Sequence, residues 1–174
     1  MTVNKIHGLL GNLGAFALSV LLAACSGGGD GGNSVGCGFM NATANAGVTA
    51  GSFENTQAAT DANLGSAASI SSFGSGFIRA SGPDFGAGDN PGIFLSAPAG
   101  TTAADMTVRT YLGNAVVESA TGPALTVTGT QGRTVAMDYV SFEATLPFDG
   151  VEFLFTDENN EEFLIFEICG FSDV

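Results

Sequence analysis

Tryptophan is absent from this 174-residue sequence, and basic side chains are nearly so: Lys and Arg number 4, against 17 Asp and Glu. The formal charge of −13 excludes nucleic acid and anionic membrane surfaces as electrostatic partners, because both demand a basic patch. Only 12% of residues are charged, where about 25% is usual for a globular domain. The single His (His7) and single Lys (Lys5) both fall near the N-terminus, so Ser-His-Asp and Ser-Lys chemistry have no participants further on. Phosphate-loop motifs are missing too. A glycosidase needs only two spaced carboxylates, but nothing singles out any pair. The sequence is therefore read as non-enzymatic, with no catalytic residues.

Apolar residues make up 45% of the chain, with 26 Gly and 14 Phe. That balance suits strands and turns. Period-2 alternation supports this reading. Met106–Leu112 alternates, placing Met106, Val108, Thr110 and Leu112 on one face. Leu125–Thr128 also alternates. Thr134–Leu146 reads as one long extended stretch, with Val135, Met137 and Tyr139 on one side and a parity slip near Val140 that predicts a bulge. Val151–Phe155 and Phe163–Ile168 are the most hydrophobic strands, joined by a polar loop. Shorter strands are predicted near Val48–Phe53, Ala68–Phe73, Gly76–Ala80 and Gly92–Ser96, with turn residues over Gly82–Gly92 and Ala97–Thr102. No segment after the leader has a 3.6-residue period. The expected fold is all-β, an antiparallel β-sandwich or jelly roll over residues 35–174.

Residues 1–24 read as a signal peptide: a weakly basic start with Lys5 and His7, then an uncharged, mostly apolar run to Ala24. It closes on Leu22-Ala23-Ala24-Cys25, which resembles the lipobox of bacterial lipoproteins. That resemblance implies cleavage before Cys25 and diacylglycerol on its thiol, with palmitate-type acylation and membrane attachment through the lipid. Ser26 in place of Asp resembles lipoproteins sorted to the outer membrane. Residues 25–34 form a Gly-rich flexible tether. The remaining 150 residues hold Arg79, Arg109 and Arg133 against all 17 acids, a net charge of −14.

With Cys25 assigned to lipid, Cys37 and Cys169 remain, an even pair in an exported chain where disulfides form. A bridge between them would close nearly the whole domain, worth about 5 kcal/mol in the chain-entropy account. Two buried thiols or a metal site are the alternatives, and the lack of a nearby His makes a poor zinc site.

Ala58–Ser66, with its Asp61-Ala62-Asn63 core, resembles a loop of galactose-binding-like, discoidin-type jelly rolls. The later order, through Val140–Phe153 to a closing Ile165–Cys169, looks like related bacterial surface domains. In that family the loop often holds structural calcium. The resemblance places its ligands on Asp61, Asn63, Ser66 and Glu167. Hard oxygens from a turn plus two carboxylates suit that ion. Ala62 stands where the family has Gly, which matters if the position needs a positive φ. The alternative is a plain Asx-turn at Asp61 with Glu167 facing solvent.

Asp157, Glu158, Glu161 and Glu162 crowd one loop and read as a solvated hairpin tip. The segment from Asp84 to Asp89-Asn90 reads as a plain loop. Tyr111 and Tyr139 lie in strands, and the Phe residues sit at core positions. Arg79, Arg109 and Arg133 are candidates to clamp an acidic sugar, or to pair with the surrounding acids. Two functions are expected to compete. One is a lipid-anchored binding module for glycan or another surface polymer. The other is a structural or interaction subunit of an envelope assembly, partnered by envelope protein. A groove with Arg and exposed aromatics would favour the first, and a featureless acidic surface the second.

Overall fold

The computed structural model describes residues 36–72, 74–97, 101–129, 137–157 and 162–174. The predicted leader and tether, Cys25, Arg133, Val135 and the acids Glu158 and Glu161 lie outside the described residues. The described residues form twelve strands: β1 (Cys37–Phe39), β2 (Ala42–Val48), β3 (Gly51–Glu54), β4 (Ala68–Ser72), β5 (Gly74–Phe85), β6 (Gly92–Ser96), β7 (Met106–Leu112), β8 (Ala115–Thr121), β9 (Thr126–Gly129), β10 (Asp138–Ser141), β11 (Phe148–Asp157) and β12 (Glu162–Ser172). Two antiparallel sheets face each other. One is seven-stranded, ordered β3-β4-β12-β6-β10-β9, with β1 also on β12; the other is five-stranded, ordered β2-β5-β11-β7-β8. The protein is an all-β sandwich. No helix among the described residues is long and apolar enough to cross a membrane.

Alternation explains the core. Ile78 and Ala80 on β5, Val108 on β7 and Val151, Phe153 and Phe155 on β11 turn inward from the five-stranded sheet. They meet Ile70, Ile93, Leu95, Phe163, Ile165 and Ile168 from the other sheet. Phe85 stacks on Phe148 at 5.2 Å between ring centroids. Each such side chain contributes about 1.5–3 kcal/mol when removed from water.

Five expectations are corrected. Thr134–Leu146 is not one extended stretch: β10 covers only Asp138–Ser141, and residues 142–147 belong to no strand. No bulge occurs at Val140: β10 pairs with β6 in unbroken register from Asp138 to Ser141. The parity breaks because β10 is covered on both faces, Val140 by the main core and Tyr139 by a second cluster with Phe94, Met137, Phe166 and Cys169. Val48–Phe53 is not one strand but the crossing from β2 to β3, where the chain changes sheet. Leu112 is 49% exposed, because it ends β7 beyond Tyr111, the last residue of that strand to pair with β11. The Gly82–Gly92 turn region begins late, since β5 runs on through Pro83 to Phe85.

Asn90 fastens the C-terminal strand. Its amide nitrogen donates to Ser172 O at 2.9 Å, and its Oδ1 accepts from Ser172 N at 2.8 Å. Its carbonyl takes the Tyr139 hydroxyl at 2.7 Å.

Candidate functional site

Two places bring polar groups together. The first lies on the outer face of the seven-stranded sheet, under the loop between β3 and β4. There a 3₁₀ turn, Thr56–Thr60, runs into Asp61. Asp61 accepts from the Asn63 amide at 3.0 Å and from the Ser66 hydroxyl at 2.6 Å. That hydroxyl also reaches the Asn63 carbonyl at 3.0 Å, and Asn63 Oδ1 accepts from Gly65 N at 3.0 Å. Ala62 adopts φ 59, the left-handed conformation that Gly would take without penalty.

Beneath this loop sits Glu167. β12 shifts register between Ile165 and Glu167, so that Glu167 comes opposite Phe94, a member of the outer cluster. It is 0% exposed, and neither carboxylate oxygen has a hydrogen-bond partner. Burial, with the Asp61 charge added, pushes its carboxyl up to about 8; the Asn63 and Ala62 amides are near enough to offset this in part without completing a hydrogen bond. The Asx-turn expected as one alternative is present, but its companion expectation fails because Glu167 does not face solvent. Asp61, Asn63, Ser66 and Glu167 thus share one neighbourhood. Among the described residues no group of three or more His, Cys, Asp or Glu could hold a metal ion, so any ion here would lean on hydroxyl and carbonyl oxygens.

Two residues past Glu167, Cys169 is bonded to Cys37, with Cα atoms 5.5 Å apart and a sequence separation of 132. The bond ties β1 to β12 within the outer cluster. Closing so long a loop is worth about 5 kcal/mol on the chain-entropy account.

The second place is the outer face of the five-stranded sheet. Register sets Arg79 on β5 and Arg109 on β7 opposite Glu152 on the central strand β11. Glu152 accepts from Arg109 Nη1 at 3.3 Å and from the Tyr111 hydroxyl at 2.8 Å. Burial and the neighbouring Glu152 hold the Tyr111 phenol above its usual pKa, so it stays a donor. Arg79 takes another course. Its guanidinium lies over the Tyr111 ring, 3.6 Å from the centroid, and Nη2 donates to Gly113 O at 2.6 Å. Gly150, between them on β11, leaves the path clear: a Cβ there would stand 3.3 Å from Tyr111 Cβ and 3.7 Å from Arg79 Nε.

Gly113 opens the β7–β8 hairpin turn with φ +60, and its amide is held by both oxygens of Asp149 at 2.9 Å. Hairpin tip, β2 and β5 then border a groove of about 490 Å³, lined by Asn45, Arg79, Ser81, Asn114 and Asp149 among others. Of the three arginines, Arg109 pairs with an acid and Arg133 lies outside the described residues. Arg79 makes no ion pair among the described residues. Its outward placement was readable from Ile78 and Ala80 on either side; its freedom from the acids was not. Comparison of the chain with protein-family models, with curated proteins and with solved structures finds no match.

Proposed function

We propose that this protein is a non-catalytic glycan-binding module of the bacterial cell envelope. It is held at the membrane, the outer one given Ser26, by lipid on Cys25, and it carries its β-sandwich on the tether of residues 25–34. The groove beside Arg79 is the observation that carries this reading. It is walled by amide, hydroxyl and carboxylate groups suited to ring hydroxyls, and about 490 Å³ lies within the range of ligand sites. Beyond residue 24 the chain has no His or Lys to serve as base or nucleophile.

A structural calcium ion between Asp61 and Glu167 belongs to the same proposal. The fit rests on Glu167, whose two orphaned oxygens are buried beneath a loop offering the Asp61 carboxylate, the Asn63 carbonyl and the Ser66 hydroxyl. A bound calcium would supply the counter-charge that Glu167 lacks. Asp61 and Ser66 bond to each other now, so they would turn from one another toward the ion.

A second reading, a spacer or interaction subunit, draws support from the same stack. Tyr111 is covered by Arg79 and is only 8% exposed, so it offers no free platform for a sugar ring. A glycan array probed with the full chain in detergent, with and without calcium, separates the two. Retention on a coherent set of glycans supports the module, whereas no retention in either condition supports the spacer.

A further inference from the structure

Arg79 is the feature that a purely structural account leaves over. In a chain with 17 acids and four basic residues, most cations should find a carboxylate, and Arg109 does. Arg79 instead lies over Tyr111, anchored through Nη2 to the Gly113 carbonyl, while its buried Nε has no acceptor. An unsatisfied buried donor costs about 1–3 kcal/mol. The guanidinium is held by the ring and by Gly113, with no ion pair among the described residues, at the edge of a groove that two Asn, one Ser and one Asp help to line.

That arrangement describes the ligand. A guanidinium held by stacking presents a planar fork that matches a carboxylate. One cation, with Asp149 held on the same Gly113 that anchors Arg79 and Arg109 already paired with Glu152, suits a single negative charge better than a phosphate dianion. Asp149 accepts hydrogen bonds only, so it calls for donors, as ring hydroxyls are. The net charge of −14 beyond residue 24 repels any long polyanion before it arrives. Taken with the glycan-module reading, on which this rests, we propose that the groove is a subsite for one uronic acid unit within an otherwise neutral polysaccharide. Arg79 receives the carboxylate, and Asn45, Asn114 and Asp149 take the hydroxyls.

The test is calorimetric titration of the full chain in detergent with oligosaccharides that each carry one glucuronate, galacturonate or mannuronate unit. Their methyl esters, the matching neutral oligosaccharides and oligogalacturonate serve as comparisons. At least one single-uronate probe should bind at least tenfold tighter than its methyl ester and its neutral match, and tighter than oligogalacturonate. Arg79→Gln should remove that preference, and Arg79→Lys, which keeps charge without the fork, should lose most of it. Asn114→Ala, on the exposed hairpin tip, should weaken acid and ester by the same factor and so guards against a folding artefact at Arg79. Equal affinity for acid and ester, tighter binding of oligogalacturonate, or acid binding untouched by Arg79→Gln in a folded variant overturns the proposal while leaving the glycan module standing. Binding of no oligosaccharide, here or on the array, overturns both.

Discussion

Arg79 lies over the ring of Tyr111, 3.6 Å from its centroid, while the hydroxyl of that ring donates to Glu152 at 2.8 Å. One tyrosine thus carries a cation on its face and an anion at its tip, across a central strand that Gly150 leaves bare at that point. Tyr111→Phe keeps the stack but strips the nearly buried Glu152 of a donor, leaving it Arg109 at 3.3 Å. The variant should be destabilised by about 1–3 kcal/mol, measured by denaturant unfolding, with the Arg79 groove still formed.

Glu167 makes stability depend on pH in an unusual direction. Burial raises its folded carboxyl to about 8 from the ordinary 4.5. The unfolded state therefore loses its proton first as pH rises. Stability should be highest below the unfolded value and should fall through the window up to about 8, by up to a few kcal/mol. With calcium bound, the charged carboxylate gains a partner and the decline should flatten. At ~10 mM calcium, and with the ~10⁻⁴–10⁻³ M affinity of extracellular modules, the gain is about 1.4–2.7 kcal/mol. Thermal melts at pH 5 and 8, in chelator and in calcium, check this against a monovalent-salt control. Glu167→Gln should remove both the pH slope and the calcium gain, and Asp61→Asn the calcium gain.

Ala62 holds φ 59 in the turn above that carboxylate. A left-handed Ala costs roughly 1–2 kcal/mol, and Gly gives back part of the relief as unfolded-state entropy. Ala62→Gly should stabilise the protein by roughly 0.5–1 kcal/mol, seen as a raised Tm.

Much of the architecture could be read from alternation alone. β7 falls on the residues that the period-2 pattern marks out, and β6 on a predicted short strand that is buried at consecutive positions. Val140 misled because the pattern reports one buried face, and Tyr139 and Val140 are buried on two. Leu112 misled because it lies beyond the last β7 residue covered by pairing with β11, and alternation does not report where a strand's cover ends. At the sites, the loop from Asp61 to Ser66 could be read from its turn chemistry. The burial of Glu167 depends on a register shift in β12 and on the loop that covers it, so it appears only in three dimensions. Which arginine would find an acid was equally hidden, since Glu152 meets Arg109 across 43 residues of sequence.

The proposed lipid anchor on Cys25 can be tested apart from the sandwich. Cys25→Ser should leave an unprocessed precursor that takes up no radiolabelled palmitate when the chain is expressed in bacteria. The Cys37–Cys169 bond and the thermal melt of the domain should be unchanged.

The groove itself can be observed directly, because the chain has only three arginines: Arg79, Arg109 and Arg133. Their side-chain Nε–H resonances can be assigned by single Arg→Lys replacements and followed while the full chain in detergent is titrated with the tightest-binding single-uronate oligosaccharide. The account predicts that the Arg79 resonance shifts in step with saturation, while that of Arg109, tied to Glu152, moves far less. Saturation of binding with the Arg79 resonance unmoved would contradict it.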